Sequence, residues 1–294
     1  MASAPAESSA PLPAGLSDRA LQALPVRYIR PSQGWVPVHL AELWEFRELL
    51  YFLVWRQVRV RYKQTLLGVT WAILQPVLTM VAFTLLFGRL AGLPSDGLPY
   101  PVFTYAALLP WQLFAFALSE SSNSVVANHQ LLTKVYFPRL LLPLASVGVG
   151  LVDFFIAFAV LLALMAYYGL VPGLAVLTVP LWAGLAVVTA LSVSLWFSAL
   201  NVQYRDVRYT LPLLTQLWLL ATPVAYPSSL VPDAWRTLYG LNPMVSVVDG
   251  LRWALLGGPW PGATLLTSLA AVSAILVGGA YFFRRIERTF ADVV

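Results

Sequence analysis

The chain has 294 residues, 59% of them hydrophobic and 11% charged, and a mean hydropathy of +0.75, which is the composition of an integral membrane protein. Soluble domains carry about 25% charged residues, and helix-length apolar runs argue against a β-barrel of roughly 10-residue alternating strands. The absence of cysteine excludes disulfide and thiol chemistry, and the net charge of +5 reads as membrane orientation rather than nucleic-acid binding.

Residues 1–39 form an N-terminal segment whose first 24 residues are rich in Ala, Pro and Ser, a composition expected to be disordered. They lack the basic patch and apolar core of a cleaved signal peptide. Residues 40–63 carry no Pro or Gly, start acidic with Glu42, Glu45 and Glu48, and end basic with Arg56, Arg59, Arg61 and Lys63. That order complements a helix dipole and predicts one amphipathic helix at a membrane interface. Tyr51, Trp55, Val58 and Tyr62 fall on one aromatic-apolar stripe, and Arg56, Arg59 and Lys63 on a cationic one.

Six membrane spans are expected over 64–283, at about 66–90, 101–127, 140–168, 174–200, 209–225 and 263–283. Fifteen of the 18 Lys and Arg residues fall on one side of these spans, and only Arg89, Arg236 and Arg252 on the other, so both termini are expected in the cytosol, the tail 284–294 included. Between spans two and three, residues 128–139 read as a short amphipathic cytosolic helix ended by Pro138. Such a helix can dock on a motor subunit or serve as a plain connector. The loop 201–208 holds Arg205 and Asp206, which read as ion pairs closing the cytosolic face. Segment 226–262 is too apolar for an ordinary loop, and its apolar part, Met244–Leu256, is about 13 residues, too short to span. Asn242-Pro243 and Gly257-Gly258-Pro259 bracket it, so short re-entrant helices are expected there, with a seventh span as the alternative.

Little here is equipped for catalysis. The only two lysines, Lys63 and Lys134, precede Gln and Val, so there is no P-loop, and the two histidines, His39 and His129, lie far apart with no metal-ligand cluster. Glu120 and Asp153 sit inside spans, where a charge is costly and usually has a task. Glu120 precedes a Ser-Ser-Asn-Ser run and either lines a water-filled opening or pairs locally, with Arg139 as a candidate partner. Asp153 lies about 20 Å along its span by helical rise. Trp111 and Phe114 read either as interface or packing aromatics or as rings that stack against sugars in a channel.

The stretches RYKQTLLGVTWAILQP (61–76), YPVFTYAALLPWQLF (100–114), LLTKVYFPRLLLPLASV (131–147), NVQYRDVRY (201–209), TPVAYP (222–227), LNPM (241–244), DGLRWALLGG (249–258) and RRIERTFADVV (284–294) together resemble the permeases of polysaccharide-export ABC transporters. The resemblance covers roughly 27–294 and implies an all-α, six-span subunit of type-two ABC exporter fold in the bacterial plasma membrane. It implies a homodimer that moves an undecaprenyl-diphosphate-linked polysaccharide, with ATP and magnesium bound by a separate ATPase subunit and no cofactor on this chain. In that reading Glu42, Glu45, Asn128, His129, Leu132, Lys134, Phe137 and Arg139 couple to the ATPase, and Arg56, Arg59, Arg61 and Lys63 meet the lipid diphosphate or membrane headgroups. Trp111, Phe114, Glu120, Asp153, Tyr226, Asn242 and Arg252 are the channel or gate candidates, the last three on helices over 226–262 at the external mouth. The alternatives are an ABC permease for a smaller lipid or drug and an ion-coupled flippase for lipid-linked glycans.

Overall fold

The structure, a computed structural model, describes residues 40–63, 68–204, 206–287 and 290, and every regular element among them is helical. The chain enters through α1 (Leu40–Glu45) and α2 (Arg47–Lys63), parted only at Phe46 where one helix is expected. Phe46 packs with Leu49, Leu50 and Leu53 around Phe137 and Leu141, while backbone bonds from Phe46 N to Glu42 O and from Leu50 N to Phe46 O carry the helical path across the break.

Next come α3 (Gly68–Phe83), continued by a π-helical stretch over Thr84–Leu90, then α4 (Tyr100–Ala127), the short α5 (His129–Lys134) and α6 (Leu141–Tyr167). A 3₁₀ turn, Leu174–Thr178, leads into α7 (Val179–Gln203), which is followed by α8 (Val207–Leu220), α9 (Asp233–Tyr239), α10 (Pro243–Leu256) and α11 (Ala263–Ile286).

Among the described residues, five helices are long and apolar enough to cross a membrane: Thr70–Leu90, Tyr100–Ala127, Leu141–Tyr167, Leu174–Gln203 and Ala263–Ile286. The segment expected as a further span, 209–225, is not among them. Its helix α8 has 14 residues, about 21 Å of rise against the roughly 30 Å of a bilayer core. Pro223 disfavours a helical Thr222, and the chain turns at Ala221.

The hub is α4, buried on almost every side from Val102 to Val125 and packed against α6, α7, α10, α3 and α8. Ala106, Ala107, Ala117, Ser121 and Ser122 are all fully buried on it, small residues that let neighbouring helices approach closely. Interface helix α2 runs alongside the first half of α6 in the same direction. Leu53 meets Leu141 and Leu142, Val54 closes on Gly148, and Arg61 reaches Asp153. A Cβ on Gly148 would sit 2.8 Å from the Val54 side chain, so the glycine is what lets α2 lie this close. Of the aromatic-apolar stripe expected on α2, Tyr51 and Trp55 face outward, 64% and 48% exposed, while Val58 and Tyr62 are half-buried; the buried side of the helix is Leu53, flanked by Leu50 and Val54.

Helix α10 is buried along nearly its whole length between α4, α7 and α11. Asn242 accepts a hydrogen bond from Met244 N, Pro243 opens the first turn, and Gly257 closes the helix at φ +70°, a left-handed position that suits glycine. Gly250 lies flat on the Trp182 indole, so α10 and α7 meet with no room for even a methyl group. The bundle therefore has two distinct ends. At the basic end α1, the α4–α6 connection and the last turn of α11 converge; at the other, the start of α4 meets 221–262.

Candidate functional site

The chemistry of the bundle centres on Asp153. Its carboxylate takes a 2.7 Å ion pair from Arg61 and a hydrogen bond donated by the Tyr62 hydroxyl. Burial first, then the neighbouring carboxylate, pushes the Tyr62 phenol well above its ordinary range, so it stays a donor. The Arg61 guanidinium also lies over the Phe116 ring, 4.4 Å from its centroid, a cation–π contact that gains strength where water is scarce. An acid expected deep in a span therefore has two partners, both from the last turn of the helix expected to lie at the membrane interface. Spacing cannot show this, because it depends on α2 climbing along α6.

Two cavities flank the pair. One, of about 320 Å³, is walled by α3, α4 and α6 and lined by Gln75, Thr79, Trp111, Gln112, Phe154 and Asp153. The other, of about 340 Å³, lies toward the basic end and is lined by Arg56, Gln57, Glu120, Asn123, Asn128 and Ser146. Arg61 and Phe116 belong to both walls.

The cations of α2 thus divide. Arg56 and Arg61 face the cavities, Arg59 stacks 5.5 Å from the Trp55 ring centroid on the exposed face, and Lys63 is exposed at the helix end. Glu120 lines the second cavity and is exposed, while Arg139, considered as its partner, is engaged elsewhere. Trp111 and Phe114 are buried neighbours 5.3 Å apart, and Phe114 meets Trp218 at 5.0 Å. Trp111 borders the first cavity; Phe114 packs the core.

At the basic end, an ion network joins three elements. The Arg139 backbone N–H donates to the Glu287 carboxylate at 3.3 Å, and its guanidinium donates to the Glu287 carbonyl and lies over Phe290. Arg284 bridges Glu287 at 3.2 Å and Glu42 at 3.9 Å, and Tyr136 donates to Glu42. Glu42 and Arg139 therefore point into the protein. Phe137 is buried against Leu53, Leu141 and Ala145 and pins the loop to α2. Outward-facing on this end are Glu45, His129 and Lys134, with the exposed Val135 and Tyr136 beside them. Asn128 is half-buried and donates to Ser124 O. The side chain of Leu132 lies outside the described residues, as does Arg205, so the expected Arg205–Asp206 pairing does too.

The three gate candidates of 226–262 come together at the other end. Arg252 is 4% exposed and donates to three carbonyls, Phe103 O at 3.2 Å, Pro223 O at 2.6 Å and Val224 O at 3.0 Å, with its charge over the Phe103 ring. Asn242 accepts from Trp218 Nε1 and donates to Ala221 O and Thr222 Oγ1. The Tyr226 hydroxyl meets Leu220 O and the Tyr239 hydroxyl. Each ties the end of α8 to α9 or α10, so the three act as clamps rather than as cavity lining. Asp249, one turn before Arg252, is buried beside it at 8% exposed. Sequence reasoning passed over it, although its i, i+3 spacing from an arginine in an apolar helix signals a buried pair. Gln75 and Gln112 were also missed, each an amide inside an otherwise apolar span.

Residues 48–256 match the family described as ABC-2 type transporter. The chain is 34% identical over 257 residues to the O-antigen export system permease protein RfbA of Myxococcus xanthus, covering 86% of this chain and 98% of that protein. It is 28% identical to the permease of the same name from Klebsiella pneumoniae, over 84% and 95% of the two chains. It is 24% identical to the polysialic acid transport protein KpsM of Escherichia coli, over 79% and 91%.

Proposed function

The chain belongs to the ABC-2 type transporter family, and from that premise we propose that it is the membrane-spanning subunit of an ATP-driven exporter of undecaprenyl-diphosphate-linked polysaccharide. The observation that carries the reading is the pair of polar cavities that share Arg61 at the inner end of the interface helix. A diphosphate needs cations at headgroup depth, and Arg56 and Arg61 supply them in the cavity walls, while Arg59 and Lys63 anchor α2 among the headgroups. The names of relatives that match nearly full length, O-antigen export and polysialic acid transport, support the polysaccharide class.

The basic end faces the cytosol, following the excess of Lys and Arg there. ATP and magnesium are held by a separate ATPase, since neither lysine of this chain stands in a P-loop. Two copies form the conduit, with α3 and α8 at the seam. Both pack on α4 and present exposed apolar faces, and α8 carries an exposed glutamine, Gln216, a residue that prefers protein or water to lipid. Helix α8 ends at half depth, and α9 and α10 complete the wall as re-entrant helices, braced by Tyr226, Asn242 and Arg252.

The coupling surface is α5 and the loop after it. The test is co-purification with the cognate ATPase subunit together with Lys134→Glu. The wild-type chain retains the ATPase through detergent extraction; Lys134→Glu inserts normally and hydrolysis continues, but export falls about tenfold, the size of a lost charged contact of about 1.4 kcal/mol. Undiminished export in the variant removes α5 from the coupling role, and failure of any ATPase to associate removes the exporter reading.

A further inference from the structure

We infer that the cavity between α3, α4 and α6 is a saccharide subsite that takes the sugar joined to the diphosphate of the carrier lipid. The inference rests on the exporter reading above and adds to it a recognition step for the glycan's first residue.

The lining is that of a hydroxyl-binding site. Asp153 offers carboxylate oxygens to accept from hydroxyls, Gln75 and Gln112 offer both donor and acceptor, and Trp111, Phe116 and Phe154 offer flat apolar faces for a pyranose ring. The volume of about 320 Å³ lies at the small end of ligand pockets, which run from about 300 to 1,000 Å³; it suits a single sugar and not a chain.

The two glutamines are the most telling feature. Neither amide makes a hydrogen bond within the described residues, and both line the same cavity. By contrast Asn123, Asn201 and Asn242 on the neighbouring helices each donate to an oxygen. Polar groups at membrane depth face a polar path rather than lipid. An acyl chain would leave both amides unsatisfied; a sugar satisfies both.

Position supplies the rest. Arg61 lines this cavity and the one that holds Arg56, so a diphosphate seated between the two arginines has its attached sugar at the mouth of the glutamine-lined cavity. The ion pair to Asp153 fixes the guanidinium there, and Asp153 itself remains part of the cavity wall.

The test is binding to the full chain reconstituted in lipid nanodiscs, with two probes: undecaprenyl diphosphate, and the same lipid carrying one pyranose. The sugar tightens binding by about tenfold, the scale of one to two added hydrogen bonds. In Gln75→Leu/Gln112→Leu that ratio falls to near one while the thermal unfolding midpoint stays at the wild-type value, because no protein partner is lost. Gln112→Asn, which keeps the amide but shortens its reach, loses part of the ratio and covers the case in which the double variant misfolds. Arg56→Gln weakens both lipids and keeps the ratio. Equal affinities for the two probes in the wild type, or a ratio that survives the double substitution, overturns the subsite while leaving the exporter reading in place. Failure of the wild type to bind either lipid overturns both.

Discussion

Arg252→Ala lowers the stability of the folded chain by about 3–5 kcal/mol, the loss expected when one partner is taken from a buried charged network. Among the described residues the guanidinium is the side-chain donor to Phe103 O, Pro223 O and Val224 O, with Asp249 buried one turn before it. Removing it takes a charged donor from three carbonyls at once. The turn at 221–226 then loses its tie to α4, and α10 loses its fix on the bundle. Arg252→Lys recovers only part of the loss, because an ammonium cannot reproduce the planar fork that meets three separate acceptors. Thermal unfolding of the detergent-purified variants measures the effect. A change under about 1 kcal/mol for Arg252→Ala, the net worth of one ordinary hydrogen bond, contradicts the clamp.

The second large effect is at Arg61 and Asp153. Asp153→Asn leaves Arg61 without its counter-charge in the wall of both cavities, though the amide oxygen still accepts from Tyr62. Arg61→Gln does the reverse. In a double-mutant cycle the two positions couple by about 2 kcal/mol, within the range for contacting charges. Exchanging the charges, Arg61→Asp with Asp153→Arg, restores thermal stability, since the pair is re-formed. It does not restore export, because the cation leaves the end of α2 where the proposed diphosphate site lies. Export recovered by the exchange shows that Arg61 is structural only. The pairing also bears on the ion-coupled alternative, which needs an intramembrane acid that titrates during transport. In the structure the Asp153 carboxylate is committed to the ion pair with Arg61 and the hydrogen bond from Tyr62.

The long helices are legible in the sequence because each is a continuous apolar run of the right length, and four of the expected spans match the structure within two or three residues. The short α10 is legible for another reason: Asn242-Pro243 and Gly257 are chemical start and stop signals, and the structure uses both as caps. The segment 209–225 is harder to read because composition alone does not register the break that Pro223 imposes next to Thr222. On α2 the stripe was drawn by its large aromatics. Tyr51 and Trp55 face outward, and Leu50, Leu53 and Val54 face in, because close packing on Gly148 favours modest side chains over bulky ones.

The candidate site was legible as a set of residues but not as an arrangement. Arg61 and Asp153 were both singled out, for different tasks, and they turn out to be partners separated by 92 positions in the chain. Glu42 and Arg139 look like surface charges until Arg284 and Glu287 are brought beside them by the last turn of α11. Pairing across helices depends on which faces meet, and a single sequence carries the period of each helix without its rotation against the next.

The most direct test of the central claim is transport itself. The chain and its ATPase subunit are reconstituted into proteoliposomes loaded on the ATPase-exposed face with an undecaprenyl-diphosphate-linked glycan, and glycan on the opposite face is measured with a membrane-impermeant glycosidase. The account predicts cleavable glycan only when ATP is supplied, and a signal reduced about tenfold in Asp153→Asn, the rate cost of about 1.4 kcal/mol. Movement that proceeds without ATP, or that an ion gradient alone drives, contradicts it.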